Sequence, residues 1–308
     1  MAGQLREIRR RIRSVQSTKK ITRAMELIAA SRIARAQARV EAARPYSEQI
    51  TEVIRNLQSA GAGGDQPLLR TPETISKVGH VVITSDRGLA GGYNSNVLRA
   101  AETAIKEDIA AGRGYMLVTV GRKALAYFRY RRYTIHASYQ GMSDLPTYED
   151  AREVAGEVMR AFEAGQSSGE GVDVVKVSYT RFLSLGTQRP TVSQLMPLEA
   201  IETGAGADSG EEGAGPSAAY IYEPEPDAIL ETLLPRYVEA RMFAHMLDAS
   251  ASEHAARQRA MKSATDNADD LIKTLSRIAN RARQDEITTE IMEIVGGAEA
   301  LRQAADAN

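Results

Sequence analysis

The chain has 308 residues, 43% hydrophobic and 26% charged, a balance that excludes wholesale disorder and leaves room for one large domain or two ordinary ones. It contains no cysteine, which excludes disulfides, thiolate metal sites and cysteine catalysis, and its aromatic content of 5% is thin for a compact core and favours elongated helix. The net charge of −1 averages two unlike ends: residues 1–44 carry twelve Lys or Arg against three Glu, a net +9, and residues 220–308 carry ten basic against sixteen acidic residues, a net −6.

The first 60 residues hold little that stops a helix. Leu5, Ile8, Ile12 and Val15 follow a 3, 4, 3 spacing, the seam of a coiled coil. Ile21, Met25 and Ile28 are expected to continue that stripe after a shift. Pro45 should bend or end the helix, and the glycines between 61 and 64 should stop it. The middle of the chain alternates. Strands are expected at 78–84, 115–120, 133–137, 172–179 and 191–198, with helices at 94–111, after Gly121, and at 147–164. Such alternation predicts an α/β domain with a largely parallel, Rossmann-like sheet, placed at 73–200. Residues 201–219 are Gly-rich and read as a surface loop. From 220 to 308 a foot segment leads into a second long helix. Residues 227–303 alone would span about 115 Å at roughly 1.5 Å per residue. Ala268, Leu271, Leu275, Ile278 and Ala282 run 3, 4, 3, 4 along it. A helix of that length needs a partner, and the helix of residues 1–60 is the parsimonious one. The expected architecture is therefore a long antiparallel coiled coil of the two terminal helices with the α/β domain inserted between them. The opposite charges of the two ends are expected to attract across the pair.

No apolar run reaches the roughly 18 residues of a membrane span, and no apolar stretch follows the basic start as it would in a secretory leader. The glycine turn in "ITSDRGLAGGYN", 83–94, follows a strand and precedes a helix, the setting of a phosphate cradle. It lacks the dinucleotide fingerprint, and the chain has no Walker A motif. His80 and His136 are placed in strands, and His245 and His254 stand nine apart on a helix, so no histidine pair has metal-ligand spacing. Asp266, Asp269 and Asp270 share a helix face and read as a solvated surface. Two other readings stay open on the residues alone: a nucleic-acid-binding coiled coil using the basic head, and a nucleotide-dependent α/β enzyme using the glycine turn. No aromatic is interleaved with the basic residues before Tyr46, which weakens the first.

The two ends carry a resemblance. "LREIRRRIRSVQSTKKITRAMELIAASRIARAQ", 5–37, is similar to the N-terminal helix of the F-type ATP synthase gamma subunits, and "ITTEIMEIVGGAEAL", 287–301, resembles their C-terminal signature. "SDRGLAGGYN" and "MKSATDNADDLIKTL" agree as well. Residues 203–217 depart from the pattern, Ala90 stands where some members carry cysteine, and the redox-sensitive cysteine insert of chloroplast members is absent. The resemblance implies a non-catalytic rotor shaft of the proton-translocating ATP synthase, without a cofactor of its own. Its implied partners are the alternating alpha and beta hexamer, the epsilon subunit and the membrane c-ring, with no nucleic acid and no direct lipid insertion. It implies a peripheral location on the cytoplasmic side of the cell inner membrane. Residue by residue, it assigns Met25, Arg257, Gln284 and Thr288 to beta-subunit contacts, and Tyr220, Tyr222 and Glu223 to the foot over the c-ring.

Overall fold

The structure, a computed structural model, describes residues 2–59, 62–63, 66–70, 72–165, 171–198 and 223–306. The elements are α1 (Ala2–Ser59), β1 (Lys77–Ile83), α2 (Tyr93–Ala110), β2 (Gly114–Val120), α3 (Arg122–Tyr130), β3 (Ala137–Tyr139), α4 (Tyr148–Ala164), β4 (Val174–Phe182), β5 (Gln188–Met196) and α5 (Pro226–Asp306). They form two compact units. Unit 1 takes residues 1–29 and 258–308; unit 2 takes residues 30–257.

Unit 1 is a pair of antiparallel helices. Thr22 Oγ1 lies 2.8 Å from Thr265 Oγ1, and one turn further along, Lys19 pairs with Asp269. The expected shift in the α1 stripe does not occur. The heptad continues unbroken through Lys19, Thr22, Glu26 and Ala29, of which the last three are buried, while Ile21 and Ile28 are exposed. The polar seam positions hold because each finds a partner: Lys19 and Thr22 across the pair, and Glu26 on Arg23 of its own helix at 2.9 Å. On α5 the seam runs through Met261, Thr265, Ala268, Leu275 and Ala279, so Ala268 and Leu275 are on it but Leu271 and Ile278 face outward. Charge contributes little to the pairing. Among the described residues of unit 1, Lys19–Asp269 is the one ion pair between the two helices, and it is partly exposed.

Unit 2 is built on a five-stranded sheet in the order β3-β2-β1-β4-β5. The first four strands are parallel, and β5 runs antiparallel to β4 after a tight loop. Parallel strands need covered faces. On one face α2 and α3 bury Leu98, Ala101, Ile105, Ala124 and Phe128 against Val82 and Leu117. On the other, α4 packs with residues of α1 and α5, which contribute Ile50, Ile54, Leu57, Leu230, Leu234 and Val238. Ile54 and Leu57 are fully buried, each worth about 2–3 kcal/mol of apolar transfer. Thr147 caps α4 in a reciprocal box with Asp150.

Of the two outcomes expected at Pro45, a bend or an end, the helix does not end there, since Pro45 lies inside α1; a proline removes one backbone bond, and the buried side chains of Ile50, Ile54 and Leu57 hold the following turns in place. One further expectation is corrected. The third strand is Ala137–Tyr139, later than expected, and His136 precedes it with Nε2 on Glu157 at 2.8 Å.

Candidate functional site

The glycine turn is the sequence feature suggestive of a phosphate cradle. Beyond β1 the chain turns into α2 with Leu89 and Gly91 both at positive φ, 63° and 56°. Asn94 locks the turn, its Oδ1 accepting from the Ser85 N–H at 3.0 Å and its Nδ2 donating to Ser85 Oγ at 2.8 Å. The seat for an anion exists: the first N–H of α3, on Arg122, and the N–H groups of Gly141 and Ser143 converge on one point. It is filled by the chain itself. The Asp86 carboxylate accepts those three bonds at 3.0, 2.9 and 3.2 Å. Burial works to raise the Asp86 pKa, but the hydrogen bonds from Gly141, Arg122 and Ser143 outweigh it and hold the carboxyl below its ordinary range.

Over the same turn lies α5. Arg257 donates from Nε and Nη2 to the Gly88 carbonyl at 3.4 and 3.3 Å, and from Nη2 to Glu253 Oε1 at 2.6 Å. Both partners of this ion pair are buried. Burial raises the Glu253 carboxyl above its usual range, with Arg257 opposing. Tyr93 Oη donates to the Ala249 carbonyl at 3.1 Å, and Ser252 Oγ to the Thr180 carbonyl, near the end of β4, at 3.0 Å. Open α/β sheets bind ligands outside the carboxyl ends of their strands, where the strand order reverses. In this chain that place, beyond β1 and β4, is taken by the 249–257 stretch of α5. The loop after β3 joins the same cluster. Asp144 pairs with Arg32, and its carbonyl receives Ser250 Oγ at 3.2 Å and faces His254 Nε2 at 3.1 Å.

The residues assigned by resemblance are placed differently from one another. Met25 is half-buried beside the unit 1 seam, and Gln284 and Thr288 are exposed one turn apart on α5. Arg257 is buried, with its donors on Glu253 and Gly88. Glu223 is exposed just before α5, while Tyr220 and Tyr222 lie outside the described residues, as does the 203–217 loop. Of the three aspartates read as a solvated face, Asp269 meets Lys19 and Asp270 meets Lys273. Unit 1 also exposes apolar side chains: Ile21, Leu27 and Ile28 on α1, and Ile287, Ile291, Met292, Ile294 and Val295 on α5. Sequence reasoning missed Asp86, Glu253 and Asp144. Asp86 meets a backbone N–H 36 residues away and Arg257 a carbonyl 169 residues away, distances at which spacing carries no signal.

The chain thus combines a helix pair that exposes apolar side chains with an α/β unit whose ligand edge is covered by its own α5, and this architecture is that of a known family. A family model described as ATP synthase matches residues 4–301. The ATP synthase gamma chain of Frankia casuarinae is 54% identical over 301 residues, covering 98% of this chain and 99% of its own length. That of Mycolicibacterium smegmatis is 49% identical over 310 residues, covering 98% and 99%. Among solved structures, a chain of the Euglena gracilis mitochondrial ATP synthase rotor matches with a TM-score of 0.60 at 17% identity, covering 93% of this chain and 100% of that one. A chain of the Tetrahymena thermophila mitochondrial ATP synthase central stalk and c-ring matches with a TM-score of 0.58 at 21% identity, covering 79% and 99%. These two show the fold. The chain belongs to the ATP synthase gamma chain family. Nothing in these relatives supports the nucleic-acid-binding alternative. No helix among the described residues is long and apolar enough to cross a membrane.

Proposed function

We propose that the chain is the central rotor shaft of an F-type ATP synthase, coupling proton flow through a membrane c-ring to conformational change and ATP synthesis at beta-subunit sites. The observation that carries this reading is the apolar surface of unit 1. Exposed Ile21, Leu27 and Ile28 on the helix pair, with Ile287, Ile291, Ile294 and Val295 on the stretch of α5 that runs past the first described residue of α1, are what a shaft presents when it turns inside a protein sleeve. One rod inside a ring of three like beta subunits presents each with different contacts, so rotation shifts their conformational populations in turn. Met25, Gln284 and Thr288 are the proposed direct contacts to beta. Arg257 belongs with them through the 86–92 turn it holds. Tyr220, Tyr222 and Glu223 are the proposed foot over the c-ring, and unit 2 carries epsilon. The chain itself is proposed to be non-catalytic, a reading supported by the Asp86 carboxylate occupying the anion seat of the glycine turn. Its place is peripheral, on the cytoplasmic side of the cell inner membrane.

The absence of cysteine makes the test direct. A single cysteine at Tyr130, 86% exposed on α3, labelled before assembly, takes a bead with no competing thiol on this chain. With the alpha and beta hexamer immobilised, ATP should drive the bead in threefold steps in one direction. A complex that hydrolyses ATP steadily while the bead stays still refutes the shaft.

A further inference from the structure

The division between the two units falls between residues 29 and 30 on α1 and between residues 257 and 258 on α5. Close to it, on the unit 2 side, the loop after β3, residues 140–147, meets both helices. On α1, Arg32 pairs with the Asp144 carboxylate, and Arg39 donates to the Pro146 carbonyl at 3.5 Å. On α5, Ser250 Oγ donates to the Asp144 main-chain carbonyl at 3.2 Å, and His254 Nε2 faces the same oxygen at 3.1 Å. Asp144 therefore holds the two helices with different atoms, α1 by its side chain and α5 by its backbone. His254 also stands 3.9 Å from Asp144 Oδ1, but burial lowers the pKa of that ring and keeps it neutral, so it adds no ion pair.

The loop that carries Asp144 is itself fixed to the sheet. Asp86, just beyond β1, accepts from the N–H groups of Gly141 and Ser143 at 2.9 and 3.2 Å, and its own N–H donates to Ser143 Oγ at 2.9 Å. A loop bonded to the sheet on one side and to two helices on the other ties those helices to one rigid body. α5 has further ties of its own, to Tyr93, to the Thr180 carbonyl and to the Gly88 carbonyl. The Arg32–Asp144 pair is half-buried, and a pair so placed adds little stability. What it supplies is direction, because it fixes one face of α1 towards the loop.

We infer that Asp144 is a positioning residue, which locks α1 through Arg32 and α5 through its carbonyl to the end of the sheet, so that both helices turn together with unit 2. The turning rests on the shaft reading; the locking does not. The two arms can be cut separately, since a change of either side chain in the Arg32–Asp144 pair leaves the carbonyl arm in place. The pair is a single contact through Arg32 Nη1, so a lysine at 32 can replace it.

The test is hydrogen exchange on the full-length chain, read by mass spectrometry in two stretches, residues 30–40 of α1 and residues 249–257 of α5. Arg32→Gln and Asp144→Asn should each speed exchange in the α1 stretch by about threefold to fivefold, the worth of one ion pair at this exposure, and leave the α5 stretch unchanged. The double variant should be no faster than either single one, because the two side chains act as one contact. Arg32→Lys should keep exchange near that of the unaltered chain. Equal acceleration of both stretches is general loosening of unit 2 and overturns the inference. An α1 stretch that does not respond to Arg32→Gln, or a double variant that adds the two effects, overturns it as well. In the assembled complex, with the hexamer immobilised and ATP withheld, a bead on unit 2 should show a wider angular spread with Arg32→Gln than with the unaltered chain or Arg32→Lys. An unchanged spread beside faster α1 exchange overturns the rotational part. A bead on the unaltered chain that stays still under ATP hydrolysis refutes the shaft instead, and the exchange result then decides the locking by itself.

Discussion

Replacing Arg257 with methionine separates a role inside the chain from a role at an interface. The side chain is 8% exposed and its partner Glu253 is 1% exposed. Methionine fills most of the volume but leaves the Glu253 carboxylate buried without its cation, a loss that runs to about 3–5 kcal/mol for a broken buried pair. Glu253 escapes part of this by taking a proton, which costs about 1.4 kcal/mol for each unit by which the pH exceeds its pKa. That pKa is already raised by burial, so proton uptake is the cheaper route and sets the lower end. The Gly88 carbonyl also loses its two bonds from the guanidinium, worth about 1 kcal/mol apiece. Arg257→Met should therefore destabilise unit 2 by about 5 kcal/mol. Urea unfolding at pH 7, followed by a fluorophore on a cysteine placed at exposed Tyr130, reads this directly. Adding Glu253→Gln removes the stranded acid and should recover about 2 kcal/mol, a coupling that the double-mutant cycle isolates. A loss below about 1 kcal/mol, or no recovery, means that the Arg257–Glu253 pair does not hold α5 on the glycine turn.

Two further perturbations follow from unit 2. Gly121 has φ of 93°, and a Cβ there would stand 2.2 Å from the Thr84 carbonyl oxygen, so Gly121→Ala should cost more than about 3 kcal/mol in a urea melt, whereas Gly156→Ala, with open space around it, should be neutral or stabilising. Burial chiefly depresses the pKa of His80 to about 4 and of His245 to about 3, from an ordinary 6.5. The unfolded chain takes up these protons near pH 6.5 and the folded chain does not, so the stability is complete above pH 6.5 and is lost as the pH falls towards 4 and 3. Between pH 7 and pH 5 each histidine should remove about 2 kcal/mol, and His80→Gln should abolish its own share of that slope, measured by urea melts at the two pH values.

What can be read from the sequence divides by the range of the interaction. The strands and helices of unit 2 follow from local periodicity, and α4 announces itself through Thr147 and Asp150 three residues apart. The coiled coil is legible as an architecture, yet the middle of its seam is not. Hydrophobicity alone favours Ile21 and Ile28, whereas the geometry keeps the strict heptad and accepts Lys19, Thr22 and Glu26 on it because partners exist for each. Pattern rules weigh each residue by itself, and a threonine that is acceptable only because another lies 243 positions away cannot be scored that way. The Asp86 seat and the Arg257–Glu253 pair are hidden for the same reason. The glycine turn looks like a cradle because the residue that fills it is inside the motif, while the N–H groups that receive it come from two other loops.

The apolar residues that the strict heptad leaves outside are surface for a partner, and polar residues lie among them. Gln284 and Thr288 are on α5 in this region, both exposed, one turn apart. Replacing both with alanine removes two polar side chains from a helix surface and substitutes the strongest helix former. Such a change falls within about 0.5 kcal/mol for the isolated chain, and a small gain in helix propensity is as expected as a loss. The melting temperature of the free chain should therefore be unchanged, in contrast to Arg257→Met. In the assembled complex the pair is proposed to meet a beta loop in each rotational position, and each lost hydrogen bond removes about 0.5–1.5 kcal/mol of differential contact. Rotational coupling depends on that difference and not on the total binding, so assembly should survive while protons pumped per ATP hydrolysed decline. Melting of the free chain and proton pumping by the complex are read from the same double variant. A clear fall in the first with no change in the second would place Gln284 and Thr288 among the residues that hold the helix pair together, and remove them from the surface that turns against beta.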